Sequence, residues 1–198
     1  MNVLKRVKYK LNRSTFISLI YKSLIRLLLE YADVIWDGCS VGDANLLEGI
    51  QNESARLVTS AMKGTNRKCL LKELCWEEFK SRRYVHKLTL LYKIINYSLT
   101  PSYLRDFLPL QVNQRSRFLL RFSENLINIP TNTQRYEKSF FPSIITAWNS
   151  LDKDVRDSVT ISTFKNKLHS IFYEPKYNKL YNTSISRYMA LSYILDSD

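Results

Sequence analysis

Only four glycines and five prolines punctuate 198 residues, and that scarcity constrains the fold more than any other feature. Tight turns draw heavily on these two residues, so a chain poor in them makes long helices rather than a sandwich or barrel. The apolar spacing agrees. Phe16, Ile20, Leu24, Leu28, Tyr31 and Ile35 recur three and four apart, which predicts one helix over about 14–36 with this row facing a core. Ser14 or Thr15 would cap its start, and Gly38 would take the left-handed position at its end. Asp43 predicts the next N-cap. Leu46, Leu47, Ile50, Leu57, Val58 and Ala61 then form the apolar face of a helix ending near Gly64. A short helix at about 68–75 carries Leu70, Leu71 and Leu74. A longer one, about 77–97, sets Tyr84, Leu88, Leu91 and Ile95 toward the core.

Thr100 and Pro101 stop that helix. Pro109, Pro130 and three asparagines (113, 125, 128) then predict loop with one strand near 126–129. Phe140, Phe141, Ile144, Ile145, Trp148 and Leu151 mark an aromatic helix over 138–151. Ser162 or Thr163 caps a last one through Phe164, Leu168, Ile171 and Phe172. The expected fold is mainly α: an irregular helical bundle over 1–172 with a loop-rich middle at about 100–135. A tail, 173–198, has room for one further helix at 184–195. A chain of this length hides roughly 70% of its unfolded surface, enough to fold without disulfide or metal.

Lysine and arginine total 30 against 18 acids, a net charge of +12. Such an excess attracts polyanions, RNA or DNA first. The charge is uneven: residues 1–30 hold seven basic and one acidic residue, 31–60 one and five, 61–100 nine and three. Candidate phosphate contacts are therefore Lys5, Arg6, Lys8 and Lys10 in the first segment and Lys80, Arg82, Arg83 and Lys87 in the third. The latter four, with His86 and Lys93, fall on the helix arc away from the expected core row, where a solvated side fits equally well. Arg115, Arg117 and Arg121 interleave with Phe118 and Phe122, a pattern that suits phosphate contact with base stacking and equally suits a core beneath solvated arginines.

Three irregularly spaced cysteines, Cys39, Cys69 and Cys75, form no disulfide framework and fit the reduced cytosol or nucleus. The first residues lack a signal-peptide core, and Lys22, Arg26, Glu30 and Asp33 break the most apolar stretch, so no membrane segment is expected. Catalytic patterns are missing too. Two-metal phosphoryl transfer needs paired carboxylates, and Tyr31-Ala32-Asp33-Val34 supplies one acid beside a valine. His86 and His169 match no cysteine at zinc spacing, and no glycine-rich phosphate loop or nucleophile elbow occurs. The chain reads as no enzyme, with no cofactor or metal.

Several strings carry a resemblance. Ile20-Tyr21-Lys22-Ser23-Leu24-Ile25-Arg26 runs into Leu29-Glu30-Tyr31-Ala32-Asp33-Val34-Ile35-Trp36-Asp37. Ile50-Gln51 with Ala55-Arg56-Leu57-Val58-Thr59 follows, then Glu73-Leu74-Cys75-Trp76 with Arg82-Arg83 and His86-Lys87-Leu88. Arg135-Tyr136, Ser139-Phe140-Phe141-Pro142, Trp148-Asn149-Ser150-Leu151 and Phe164-Lys165 close the series. In this order they resemble the region after the palm in LINE-type, jockey-like non-LTR retrotransposon reverse transcriptases. The resemblance covers about residues 1–172 and implies a thumb-like part at about 1–98 and a closing aromatic block at about 136–172. Leu27 stands where that family has proline, which predicts an unkinked first helix; Asp152 also replaces a proline. Nothing in the chain matches the fingers or the palm aspartates, so magnesium-dependent RNA-directed DNA synthesis belongs to the parent family. What the resemblance implies here is a noncatalytic C-terminal part that contacts template–primer or RNA. The alternative is a helical protein-interaction module, or a truncated pseudogene product without selected function.

Overall fold

The computed structural model describes residues 16–96, 100–112 and 124–173, together with Arg6, Lys10 and Asn12, and the side chains from Ile20 onward within the first of these stretches. It is mainly α. A π-helix, Phe16–Ile25, leads into α1 (Arg26–Glu30) and α2 (Asp33–Trp36); α3 (Val41–Thr59), α4 (Arg67–Glu73) and α5 (Phe79–Asn96) follow. After the short α6 (Tyr103–Asp106) come α7 (Gln134–Glu137), α8 (Phe140–Asn149), α9 (Lys153–Arg156) and α10 (Ile161–Tyr173). The chain forms two compact units, residues 1–86 and 87–198, dividing within α5. The expected tail helix at 184–195 and the caps Ser14 and Thr15 lie outside the described residues.

The first helix departs most from expectation. It is π-helical at its start, and it breaks at Tyr31, which is extended, and Ala32, which is left-handed at φ 52°. The predicted unkinked helix is therefore wrong. A left-handed non-glycine residue costs about 1–2 kcal/mol, and here Trp36 Nε1 closes the turn by donating to the Tyr31 carbonyl at 2.8 Å. The buried row is Tyr21, Ile25 and Leu29, joined by Phe79 and flanked by Ile20, Trp36, Leu47 and Trp76. The predicted row instead faces solvent at Leu24, Leu28, Tyr31 and Ile35. The π-helix explains the slip, because i→i+5 bonding adds one residue to each turn and displaces any face counted at α spacing. Gly38 takes no left-handed conformation; Gly64, at φ 95°, does.

Helix α3 starts at Ser40, not Asp43. Ser40 Oγ accepts from the Asp43 amide at 3.1 Å and donates to Asp43 Oδ2 at 2.8 Å, a reciprocal cap. The helix ends at left-handed Ser60, short of Gly64. Its buried face is largely polar: Glu48, Gln51 and Ser54 accompany Ala55 and Val58, while Leu46 is exposed. Gln51 is fully buried, donating to the Glu77 carbonyl at 2.7 Å and accepting from Arg82 at 3.5 Å. Helices α4 and α5 lie where expected, with Leu70, Leu71, Leu88 and Leu91 buried.

In the second unit Tyr92 stacks on Phe164, with ring centroids 4.3 Å apart, and Trp148 approaches the same ring at 5.9 Å. Ile144, Ile145, Leu151, Val155, Leu168 and Ile171 are also buried. Pro142 sits in the first turn of α8, where its missing N–H leaves no helical bond unmade. The cap of α10 is Thr160, whose Oγ1 accepts from the Thr163 amide, rather than Ser162 or Thr163. The strand expected near 126–129 is, among the described residues, a single antiparallel bridge between Gln111 and Leu126. Asn149 supplies the pairing on the other side. Its amide accepts from Leu126 N at 3.0 Å and donates to Leu126 O at 2.8 Å, so one side chain does the work of a neighbouring strand.

Candidate nucleic-acid interface

Four of the basic residues predicted to face outward lie on α5, and burial corrects most of that arc. Arg82 is 4% exposed, its Nε 2.6 Å from Glu30 Oε1 and its Nη1 donating to the Glu77 carbonyl. Glu30 is shared with Arg26, one helical turn before it. Arg83 is 3% exposed, 2.9 Å from Asp37 Oδ1, with its guanidinium 4.8 Å from the Phe79 ring centroid and 5.2 Å from that of Trp36. His86 Nδ1 lies 2.6 Å from Asp33 Oδ2, and Asp33 is itself buried. These pairs tie α1 and α2 to α5 within the first unit. A buried guanidinium needs such a partner, because removing one member of a buried pair strands the other charge.

Lys80 is half-buried, its backbone amide donating to Glu48 Oε1 at 2.8 Å. Burial pushes its ammonium below the usual lysine range, and Arg83 pushes it further, against the pull of Asp37, Glu78 and Glu48. Lys87 belongs to the second unit, where it is 5% exposed and donates to Ser143 Oγ at 3.2 Å. Arg82, Arg83 and Lys87 are thus interior groups. Counting at 100° per residue sets Arg82 and Arg83 away from the apolar row but brings Lys87 to its flank, four residues before Leu91, and a second packed side of α5 covers the two arginines.

Lys5, Lys8, Arg115 and Arg117 lie outside the described residues; Arg6 and Lys10 are exposed. The structure adds a group the sequence reading passed over. Lys63, Lys68 and Lys72 are exposed, and none has an ion-pair partner among the described residues. Lys68 and Lys72 are one turn apart on α4. That helix is held from beneath by buried Leu70 and Leu71, at its start by Asn66 Oδ1 accepting from Lys68 N, and at its side by Arg67 Nη2, 2.7 Å from Glu48 Oε2. Left-handed Ser60 and Gly64 shape the loop that carries Lys63. The signal was in the sequence: two lysines four apart on a helix whose leucines mark the opposite side.

A cavity of about 610 Å³ opens in the second unit, lined in part by Ile94, Arg105, Leu126, Trp148, Lys153 and Arg156. Its cations are already engaged: Arg105 with the Ile94 carbonyl, Lys153 with Glu124, Arg156 with Asn125. Among the described residues no group of three or more His, Cys, Asp or Glu side chains is placed to hold a metal ion, and no helix is long and apolar enough to cross a membrane. Comparison of the chain with protein-family models, with curated proteins and with solved structures finds no match.

Proposed function

We propose that this chain is a noncatalytic, post-palm region of a LINE-type reverse transcriptase and binds RNA or template–primer through phosphate contacts. The observation that carries the reading is the exposed trio Lys63, Lys68 and Lys72, free of ion pairs among the described residues and set on a helix anchored from behind. The ordered resemblance of the chain to that family supplies the parent; the surplus of basic residues, +12 overall, supplies the field. A hydrated ammonium on a flexible stem suits sequence-independent phosphate contact, whereas base reading would need donors and acceptors fixed in a groove.

Each neutralised phosphate releases condensed counterion, so three contacts on duplex give a log–log salt slope of about −2.7. Raising salt from 50 to 200 mM then weakens binding on the order of 40-fold. Fluorescence anisotropy with a labelled RNA and a labelled RNA–DNA hybrid at those two salts tests this. Absence of affinity for both at the lower salt would remove the reading, and nucleotide incorporation by the purified chain would overturn its noncatalytic part.

A further inference from the structure

We infer that the cavity of the second unit binds a small organic oxyanion, a carboxylate or phosphate monoester whose apolar body lies against Ile94, Leu108, Leu126 and Trp148. The inference is independent of nucleic-acid binding, and every described residue of the lining lies in the second unit. The volume, about 610 Å³, falls in the roughly 300–1,000 Å³ range of small-molecule sites and exceeds what a bare phosphate ion needs. Such sites combine an apolar lining with a few convergent polar groups.

The guanidinium groups select the charge of the ligand. Arg26, Arg56, Arg67, Arg82 and Arg83, all in the first unit, each lie within 3.2 Å of a carboxylate oxygen. The two arginines of the cavity are held differently. Arg105 Nε donates to the Ile94 carbonyl at 3.0 Å, and Arg156 Nη1 donates to Asn125 Oδ1 at 2.9 Å. Both acceptors are uncharged, so each arginine is oriented without being neutralised. Arg105 Nη1 and Nη2 and Arg156 Nη2 make no hydrogen bond among the described residues. Paired N–H groups on a planar fork match the oxygens of a carboxylate or phosphate.

The acids of the cavity do not supply that anion. Glu124 is taken by Lys153 at 2.6 Å, and Asp157 acts on the same ammonium; both push the Lys153 pKa up, Glu124 foremost. Glu124 feels Arg156 through space but forms no ion pair with it among the described residues. Arg105, Lys153 and Arg156 against Glu124 and Asp157 leave the lining with positive charge in excess. A neutral ligand would gain the apolar contacts alone. An oxyanion adds charge-assisted hydrogen bonds, about twice as strong as neutral ones.

The test is isothermal titration calorimetry on the full, nuclease-treated chain with three probes of one ring system: naphthoate, naphthyl phosphate and neutral naphthol. The expected result is saturable binding of either anion with naphthol at least tenfold weaker, and the tighter anion names the headgroup. Arg105→Met and Arg156→Met each weaken that binding about tenfold or more, the size of one lost charge-assisted hydrogen bond. Lys138→Met removes the same charge from an exposed position of the second unit outside the cavity and leaves binding unchanged. Circular dichroism checks that each variant keeps the helical content of the parent, and Arg105, which is exposed, carries the test if Arg156→Met does not fold. No saturable binding of either anion at low millimolar concentration overturns the inference. So does equal binding of naphthol, anion binding that survives the arginine substitutions, or a loss in Lys138→Met as large as in Arg105→Met.

Discussion

Two groups of cations in the first unit behave as opposites. Arg82 and Arg83 at the start of α5 are buried against Glu30 and Asp37, with Phe79 and Trp36 rings beside them. Lys63, Lys68 and Lys72, on and before α4, are exposed and have no ion-pair partner among the described residues. The chemistry of the two side chains accounts for the sorting. A planar, weakly hydrated guanidinium stacks on aromatics and accepts burial with a carboxylate, while these three ammonium groups hold their water outside; Lys87, buried in the second unit with Ser143 as acceptor, shows that lysine is not barred from the interior. Basic residues that look alike in a charge count thus divide into those that hold the first unit together and those that remain available to a polyanion.

The largest effect expected from breaking this contrast is on the interior side. Arg82→Ala leaves Glu30 with Arg26 as its remaining ion-pair partner and takes the Arg82 donor from Gln51 Oε1; it costs about 2 kcal/mol, read as a lower urea midpoint at unchanged slope. A loss below about 0.5 kcal/mol, the range of ordinary surface changes, would mean that the network is not structural. Next comes the exterior trio. Reversal to glutamate at Lys63, Lys68 and Lys72 together keeps stability within about 0.5 kcal/mol and flattens the salt dependence of RNA binding by about three log units per log unit. An unchanged slope would move the interface elsewhere.

The smallest effect concerns Lys80, which stands between the two groups. Its folded-state pKa is lowered, chiefly by burial, so the charged form is disfavoured by folding. Between that lowered value and the ordinary lysine value the unfolded chain binds more protons, and this residue's contribution to stability rises with pH. Lys80→Met therefore stabilises the protein at neutral pH, and the advantage shrinks as pH climbs toward the lysine range. Paired denaturation curves of the two proteins across that window would show the convergence; a constant gap would contradict it.

The sequence disclosed helices wherever one apolar face alternated with solvent, and α4, α5, α8 and α10 lie near their expected ranges. It misled where geometry departed from 3.6 residues per turn. The π-helix at Phe16–Ile25 moved the buried face by one residue, and nothing in the residue types announces i→i+5 bonding. It misled again where burial was polar, because a search for apolar rows has no means of finding Glu48, Gln51 and Ser54 on the inner side of α3. The arc of α5 failed for the related reason that a helix can pack on two sides, and only the partners Glu30, Asp37 and Asp33 reveal the second. The lysine trio needed no structure to be noticed, only attention to which face Leu70 and Leu71 claim.

Gln51 shows what this means for how the chain can drift over generations. An uncharged polar residue in the middle of a helix is ordinarily the freest of positions, open to almost any replacement. Here its amide joins the Glu77 carbonyl to the Arg82 guanidinium with no exposure to water, so substitution by leucine or lysine would take the acceptor from Arg82 Nη2 and one of two donors from the Glu77 carbonyl. Tolerance to mutation in the first unit should therefore follow hydrogen-bond connectivity rather than hydropathy.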